Sequence, residues 1–440
     1  MKKFTWIFGL AFISFWACDP KEDPVPNPSG DLVKSAIYSS MEEWYFWNEE
    51  LPPAPNGADF ESNQDFLNAI TFKPLDRFSY ITTQEAFNNS FVGRNAGHGF
   101  GFAFDADDRL FLSFVFSESP AGKDGWERGW EIIEINGQPI SSYRTATGSY
   151  NFNLGPSDPG ISNSFTFRLP DGSTTTRTNV KAEYQSNSVL HQEIIDLNDK
   201  KVGYWVYQSF KATQGQSPTK SVEVDQSMSF FQAAGIDELI IDLRYNGGGS
   251  VAVAEQIMNY LIQAGNNGKL MYVNKLNSLK TDFLGTGTNF TKLGGLSLDG
   301  VVFITSRGSA SASELVINSL DPYMDLVLIG DNTFGKPVGS FPLSRYNRTL
   351  QENDVELVPI TFATANSEGK ADYFDGFPAD FMVGDSPQFN WGDQNDLRLQ
   401  AALSYIQNGA VNGRMINTYF KPKWEMIDAF KGLKQEFPAY

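Results

Sequence analysis

Cysteine and histidine are almost missing from this sequence: Cys18 is the one cysteine among 440 residues, and histidine occurs only at His98 and His191. A disulfide framework within one chain is therefore excluded. So is a Cys/His zinc cluster, because the ligands are not there, and no metal or organic cofactor is implied. Positive charge is also short. Lys and Arg total 34 against 52 Asp and Glu, a formal net charge of −18. A nucleic-acid binder needs a basic face, so that class is set aside. The excess acid is read as a solubility feature. The apolar run at the start, Phe4 to Ala17, falls short of the ~20 residues needed to cross a bilayer.

What is present is ordinary globular composition, with 41% hydrophobic and 20% charged residues, and a length that suggests two or three domains rather than one core. The 14% aromatic content argues against a largely disordered chain.

The first residues form a targeting segment. Lys2 and Lys3 precede the apolar run, which has the length of a signal-peptide core over residues 1–17. Phe15-Trp16-Ala17-Cys18 resembles a bacterial lipoprotein box, with Cys18 as the lipidated residue; an ordinary secretory signal with an incidental cysteine is the alternative. Residues 18–30 add a polar, proline-rich tether that has no capacity for a core. Lys21-Glu22-Asp23 resembles the acidic signals of surface-exposed Bacteroidetes lipoproteins. The expectation is a cell-envelope, outer-membrane lipoprotein, periplasmic or surface-exposed, held to the membrane by a lipid anchor.

Residues 31–94 read as a helical region. Asp31 can cap a helix that carries Val33, Ile37, Met41 and Trp44 on one face. Residues 95–182 read as short alternating strands with an Asn136-Gly137 turn. Gly99-Phe100-Gly101-Phe102, Ser119-Pro120-Ala121-Gly122 and the run from Gly129 to Gly137 together resemble a protease-associated PDZ domain. That resemblance implies that the loop from Gly99 to Phe102 offers N–H groups to a peptide's terminal carboxylate, with Phe100 and Phe102 lining a pocket for the last side chain.

Residues 183–440 read as α/β, with a helical tail at the C-terminus. Strands over 202–206, 238–243, 301–305 and 326–329 alternate with helices, which implies right-handed crossovers and a largely parallel sheet. Three loops then share one sheet edge: Asn246 to Gly249, Ser309 to Glu314, and Thr333 to Lys336.

Each loop has a bland explanation. The glycines can make a tight turn or an anion site, and they match neither a P-loop nor a dinucleotide fingerprint. Ser311 with Glu314, taken alone, is read first as a capping box. Lys336, taken alone, is a solvated lysine. The combination differs, because a serine hydroxyl needs a base and neither histidine is near in sequence. A lysine can serve when burial lowers its pKa.

The strings from Asp242 to Gly249, Ser309 to Glu314 and Thr333 to Lys336 resemble the C-terminal processing, or tail-specific, peptidases. Leu75-Asp76-Arg77-Phe78-Ser79 and Gly376 to Asp380 resemble further landmarks of that family. The resemblance implies a multidomain α/β and β protein: a helical segment, a PDZ-like β domain, and a ClpP/crotonase-like peptidase core. It implies Ser311 as nucleophile, Lys336 as base, and N–H groups of Ala312 and Gly248 as an oxyanion hole. Glu314 takes a supporting place, and Ser340 stands where many members carry a glutamine that holds the lysine amine. The partners implied are proteins or peptides with free C-terminal tails, and no oligomeric state is implied. The rival expectation is a non-catalytic peptide-binding lipoprotein of the same fold; retention of both Ser311 and Lys336 speaks against it.

Overall fold

The computed structural model describes residues 31–411 apart from 147, 214–218 and 286. Cys18, the signal segment and the tether lie outside the described residues.

Helix α1 (Leu32–Trp44) starts where the Asp31 carboxylate accepts the N–H groups of Val33 and Lys34, which satisfies donors that no helical carbonyl can reach. Helix α2 (Asn63–Ile70) is capped in the same way by Ser62, and α3 (Gln84–Val92) by Thr83. Ile37, Met41, Phe66 and Ile70 do not form a core of their own. They share one with Val338, Leu343, Leu357 and Ile360, so the first helices pack beneath the segment that follows Lys336.

A five-strand antiparallel meander follows: β1 (Phe100–Phe104), β2 (Leu110–Val115), β3 (Glu131–Ile135), β4 (Ser162–Arg168) and β5 (Thr174–Val180), paired in that order. Its core holds Phe100, Phe102, Leu112, Ile132, Phe165 and Phe167. β1 is the terminal strand in the sheet order.

The central sheet contains β6 (Val189–Leu197), β7 (Lys200–Tyr207), β8 (Glu238–Asp242), β10 (Gly300–Thr305), β11 (Asp325–Gly330) and β14 (Phe381–Met382), in that spatial order. Only β6 runs antiparallel to its neighbour; the other pairings are parallel. Helices α4 (Val222–Ala234), α5 (Val251–Leu261), α6 (Ala312–Leu320) and α7 (Leu397–Asn408) accompany the sheet. A second, antiparallel sheet joins β9 (Leu270–Leu276), β13 (Ile360–Asn366) and β12 (Val338–Ser340). Strands β8, β10 and β11 point the same way, so the loops leaving them meet at one edge.

A buried ionic cluster fixes the first of these loops. Arg244, fully buried, reaches Asp242 at 2.7 Å, Asp396 at 2.8 Å and Asp385 at 2.9 Å. Arg128, from the meander, joins it at Asp396 (3.3 Å), donates to the Ser113 carbonyl and lies 4.0 Å from the centre of the Trp391 ring. The meander is thereby tied to the strand end that carries the glycine turn. Among the described residues no helix is long and apolar enough to cross a membrane.

Candidate active site

Ser311 occupies the residue just before α6, with φ 56° and ψ −111°. A side chain in that region costs roughly 1–3 kcal/mol of strain, and the surroundings must enforce it. They do so by stitching loop to loop. Ala310 N–H and the Ser313 hydroxyl both donate to the Asn246 carbonyl, at 3.1 Å each. The Ser309 hydroxyl donates to the Leu243 carbonyl at 2.7 Å. The Phe334 N–H donates to the Ser309 carbonyl at 2.9 Å. Gly248 lies directly against the serine: a Cβ there would stand 2.9 Å from Ser311 Cβ and 3.0 Å from the Ala310 carbonyl, and its φ of 109° already suits only glycine.

Glu314 binds the second and third loops together. Its carboxylate accepts the N–H of Ser311 (3.0 Å), Gly335 (2.7 Å) and Lys336 (2.8 Å), and the Thr333 hydroxyl at 2.6 Å. Burial raises its pKa; the four donors, from Thr333, Lys336, Gly335 and Ser311, act the other way. Four donors and no acceptor suit the ionised form. The capping box expected from spacing is therefore half of a larger device. Glu314 does reach back to the Ser311 N–H, and it also spans to a loop some twenty residues onward.

Lys336 is buried, and burial pushes its pKa down to about 7 against the opposing pull of Asp76 and Glu314. Its Nζ lies 5.5 Å from the centre of the Phe78 ring. The segment that supplies Asp76 and Phe78 comes from the N-terminal region. Asp76 is itself held by the Tyr45 hydroxyl (2.7 Å) and by the N–H groups of Phe78 and Ser79 at 2.9 Å each. Arg77 donates to the carbonyls of Phe334 and Gly335, at 3.1 and 3.2 Å, and so grips the lysine loop from outside.

Ser311, Ala312, Lys336 and Ser340 line a single cleft of about 1550 Å³, which continues along Leu315, Tyr272 and Glu255 and reaches α3. At the first turn of α6, the Ala312 N–H has no acceptor among the described residues' hydrogen bonds. Neither histidine lines this cleft. His98 is buried in the meander between Asn163 and Asn179, at 2.8 and 2.6 Å. His191 lies on β6. Among the described residues no group of three or more His, Cys, Asp or Glu is arranged to hold a metal ion.

Two expectations need correction, the free Gly248 donor and the open aromatic pocket. Gly248 reaches the serine, but its N–H donates to Asn246 Oδ1 at 2.9 Å, so that donor is already engaged. Phe100 and Phe102 do not present an open pocket. On a strand, residues two apart share a face, and here that face is the core, where Phe100 packs on Trp126 and Phe165, and Phe102 on Phe152. Gly99 and Gly101 are explained by close packing: a Cβ would meet Ser119 at 2.0 Å in the first case and the Phe114 ring at 2.3 Å in the second. Ser340 pairs with Ile360 and faces the cleft with Lys336.

Asp76, Arg77 and Tyr45 carry no local sequence signal of a catalytic role. The charge pair Asp76-Arg77 beside Phe78 was visible as a landmark, but the contact with Lys336 is made across a very long stretch of chain.

Residues 33–80 match the Peptidase S41 N-terminal domain and residues 201–356 match Peptidase family S41. The chain is 23% identical over 289 residues to carboxyl-terminal-processing peptidase 3, chloroplastic, of Arabidopsis thaliana, a match covering 61% of this chain and 51% of that protein. It is 24% identical over 271 residues to the carboxy-terminal processing protease CtpB of Bacillus subtilis, covering 60% and 50%. The chain thus spans about half the length of the curated relatives it matches. A crystal structure of a Bacteroides fragilis protein named as an S41 protease superposes with a TM-score of 0.68 at 24% identity, over 86% of this chain and 97% of that one. At that identity the likeness is one of fold.

Proposed function

Because the chain belongs to peptidase family S41, we propose that it is a serine endopeptidase in which Ser311 is the nucleophile and Lys336 the general base. The observation that carries this reading is the shared cleft: a serine held in a strained turn opens onto the same space as a buried lysine whose pKa has fallen to about 7. An amine of that pKa is substantially unprotonated at neutral pH and can take the serine proton.

The steps follow from the placement. Neutral Lys336 Nζ takes the proton as Ser311 Oγ adds to the peptide carbonyl. The developing oxyanion is met by the Ala312 N–H, with the positive end of α6 behind it. The lysine ammonium then gives its proton to the leaving amine, and an acyl-Ser311 ester remains. Water, deprotonated by the same amine, releases the acyl group and restores the serine.

The meander supports a peptide-docking role of PDZ type. β1 ends the sheet order, and an extended tail can add there as a further strand. With Phe100 and Phe102 in the core, strand pairing, not an aromatic end pocket, is the proposed basis of capture. Anchoring through lipid on Cys18, and with it a place in the cell envelope, rests on the basic start, the short apolar run and the lone cysteine. Release of a Cys18→Ser variant from salt-washed membranes is its test.

Cleavage of an unfolded reporter tests the catalytic proposal. The parent should cut it at a rate that rises through pH about 7, as set by Lys336, and Ser311→Ala should not cut it. Equal cleavage by both proteins would contradict the proposal.

A further inference from the structure

Three glutamates line the cleft: Glu118, Glu223 and Glu255. Glu118 is exposed beside Lys123. Glu223 accepts the N–H groups of Ser188 and Val189, one on each oxygen. Glu255 differs from both. It follows Val251 and Ala252 on the face of α5 that lines the cleft, immediately after the glycine turn that abuts Ser311. α5 packs against α6, whose Ala312 and Leu315 form the adjoining wall. Across the cleft Tyr272 of β9, buried, donates its hydroxyl to Glu255 Oε1. The second carboxylate oxygen takes no donor among the described residues, and Glu255 joins none of their ion pairs.

We infer that Glu255, steadied by Tyr272 in the wall beside Ser311, selects substrates that carry a lysine or arginine side chain next to the scissile bond. The inference rests on the peptidase reading above and names the substrate class of that same cleft. The free oxygen offers a charge-assisted acceptor to an ammonium or guanidinium. Val251, Ala252 and Leu315 give the aliphatic stem of such a side chain an apolar surface to lie on. An apolar side chain in the same place would bury the second carboxylate oxygen without a partner, which disfavours it. Burial raises the Glu255 pKa, opposed by the Tyr272 hydrogen bond, so the carboxylate is an uneasy ion until a cation arrives. The net charge of −18 attracts any cationic peptide, but that attraction is screened beyond roughly 8 Å at physiological salt and is not specific to one residue position.

Unfolded reporter peptides that differ at one residue beside the cleaved bond (Lys, Arg, Leu or Glu) test this with the purified full chain, the cut sites being mapped by mass spectrometry. The parent should show kcat/KM about 10–100-fold higher for Lys or Arg than for Leu, the range of one charge-assisted hydrogen bond. Glu255→Gln keeps the shape and the Tyr272 contact, and it should bring that ratio close to one at both low and high salt. Equal rates for Lys and Leu in the parent, or an undiminished ratio in Glu255→Gln, would overturn the inference and leave the peptidase reading standing. Binding of the same peptides to Ser311→Ala by fluorescence anisotropy needs no chemistry and no Glu255 variant. Tighter binding of the Lys peptide is expected there, and equal binding would overturn the inference. If no reporter is cut by the parent while Ser311→Ala still discriminates, the peptidase reading fails and the cation subsite stands.

Discussion

The Glu314 carboxylate accepts the main-chain N–H of Lys336 at 2.8 Å. The same oxygen accepts the N–H of Ser311 at 3.0 Å. One side chain thus sets the backbone of both groups proposed to react, while its other oxygen holds Thr333 and Gly335.

Glu314→Gln should therefore damage fold and rate together. A glutamine offers one acceptor oxygen and turns an NH2 group toward donors that need acceptors. Each buried donor left unserved costs about 1–3 kcal/mol. A lower denaturation midpoint together with a lower kcat is expected. A variant with parental values for both would show that the four hydrogen bonds are incidental.

Lys336→Met should gain stability as it loses activity. Unfolded, lysine keeps its proton to pH ~10.4, whereas the folded group releases it at about 7. Between those values the unfolded chain binds more protons, so the parent's stability rises with pH across that window and is lowest below it. Methionine has no such dependence, fills similar space and removes the cost of burying an ammonium. The melting-temperature gap should be widest near pH 6 and narrow toward pH 9. A gap that widens as pH rises would contradict a lysine buried with its pKa depressed.

Arg244→Ala should be severely destabilising without touching the cleft directly. It would leave Asp242 and Asp396, both buried, without their main partner. Breaking one side of a buried ion pair costs roughly 3–5 kcal/mol. Urea denaturation gives the value, and a loss well under that range would mean that Arg128 and water compensate.

How much of this was legible in the sequence depended on the range of the contact. The three loops at the sheet edge were legible because parallel strands of ordinary length must place their exits together, and the strings around Ser311 and Lys336 are local. Glu314 was half legible: three-residue spacing predicts its bond to the Ser311 N–H, but the reach to Thr333, Gly335 and Lys336 depends on how β10 and β11 sit side by side. Asp76 was not legible as a partner of Lys336, since that contact exists only after the N-terminal helices dock on the segment beyond the lysine. Phe100 and Phe102 belong to the core and not to a pocket, in keeping with strand alternation, which puts two aromatic residues spaced by two on one face of a small sheet. Gly248 lies against the serine, but no sequence rule says that its N–H turns to Asn246.

Covalent labelling tests the central claim most directly. The parent, Ser311→Ala and Lys336→Ala are each treated with a serine-reactive fluorophosphonate at pH about 8, above the value near 7 set by burial of Lys336, and the adduct is located by peptide mass spectrometry. A single adduct on Ser311 is predicted in the parent, none in Ser311→Ala, and labelling slowed by at least ~100-fold in Lys336→Ala, the lower range for loss of a general base. An adduct on another residue, or labelling of Lys336→Ala at the parental rate, would contradict the assignment of Ser311 and Lys336 as nucleophile and base.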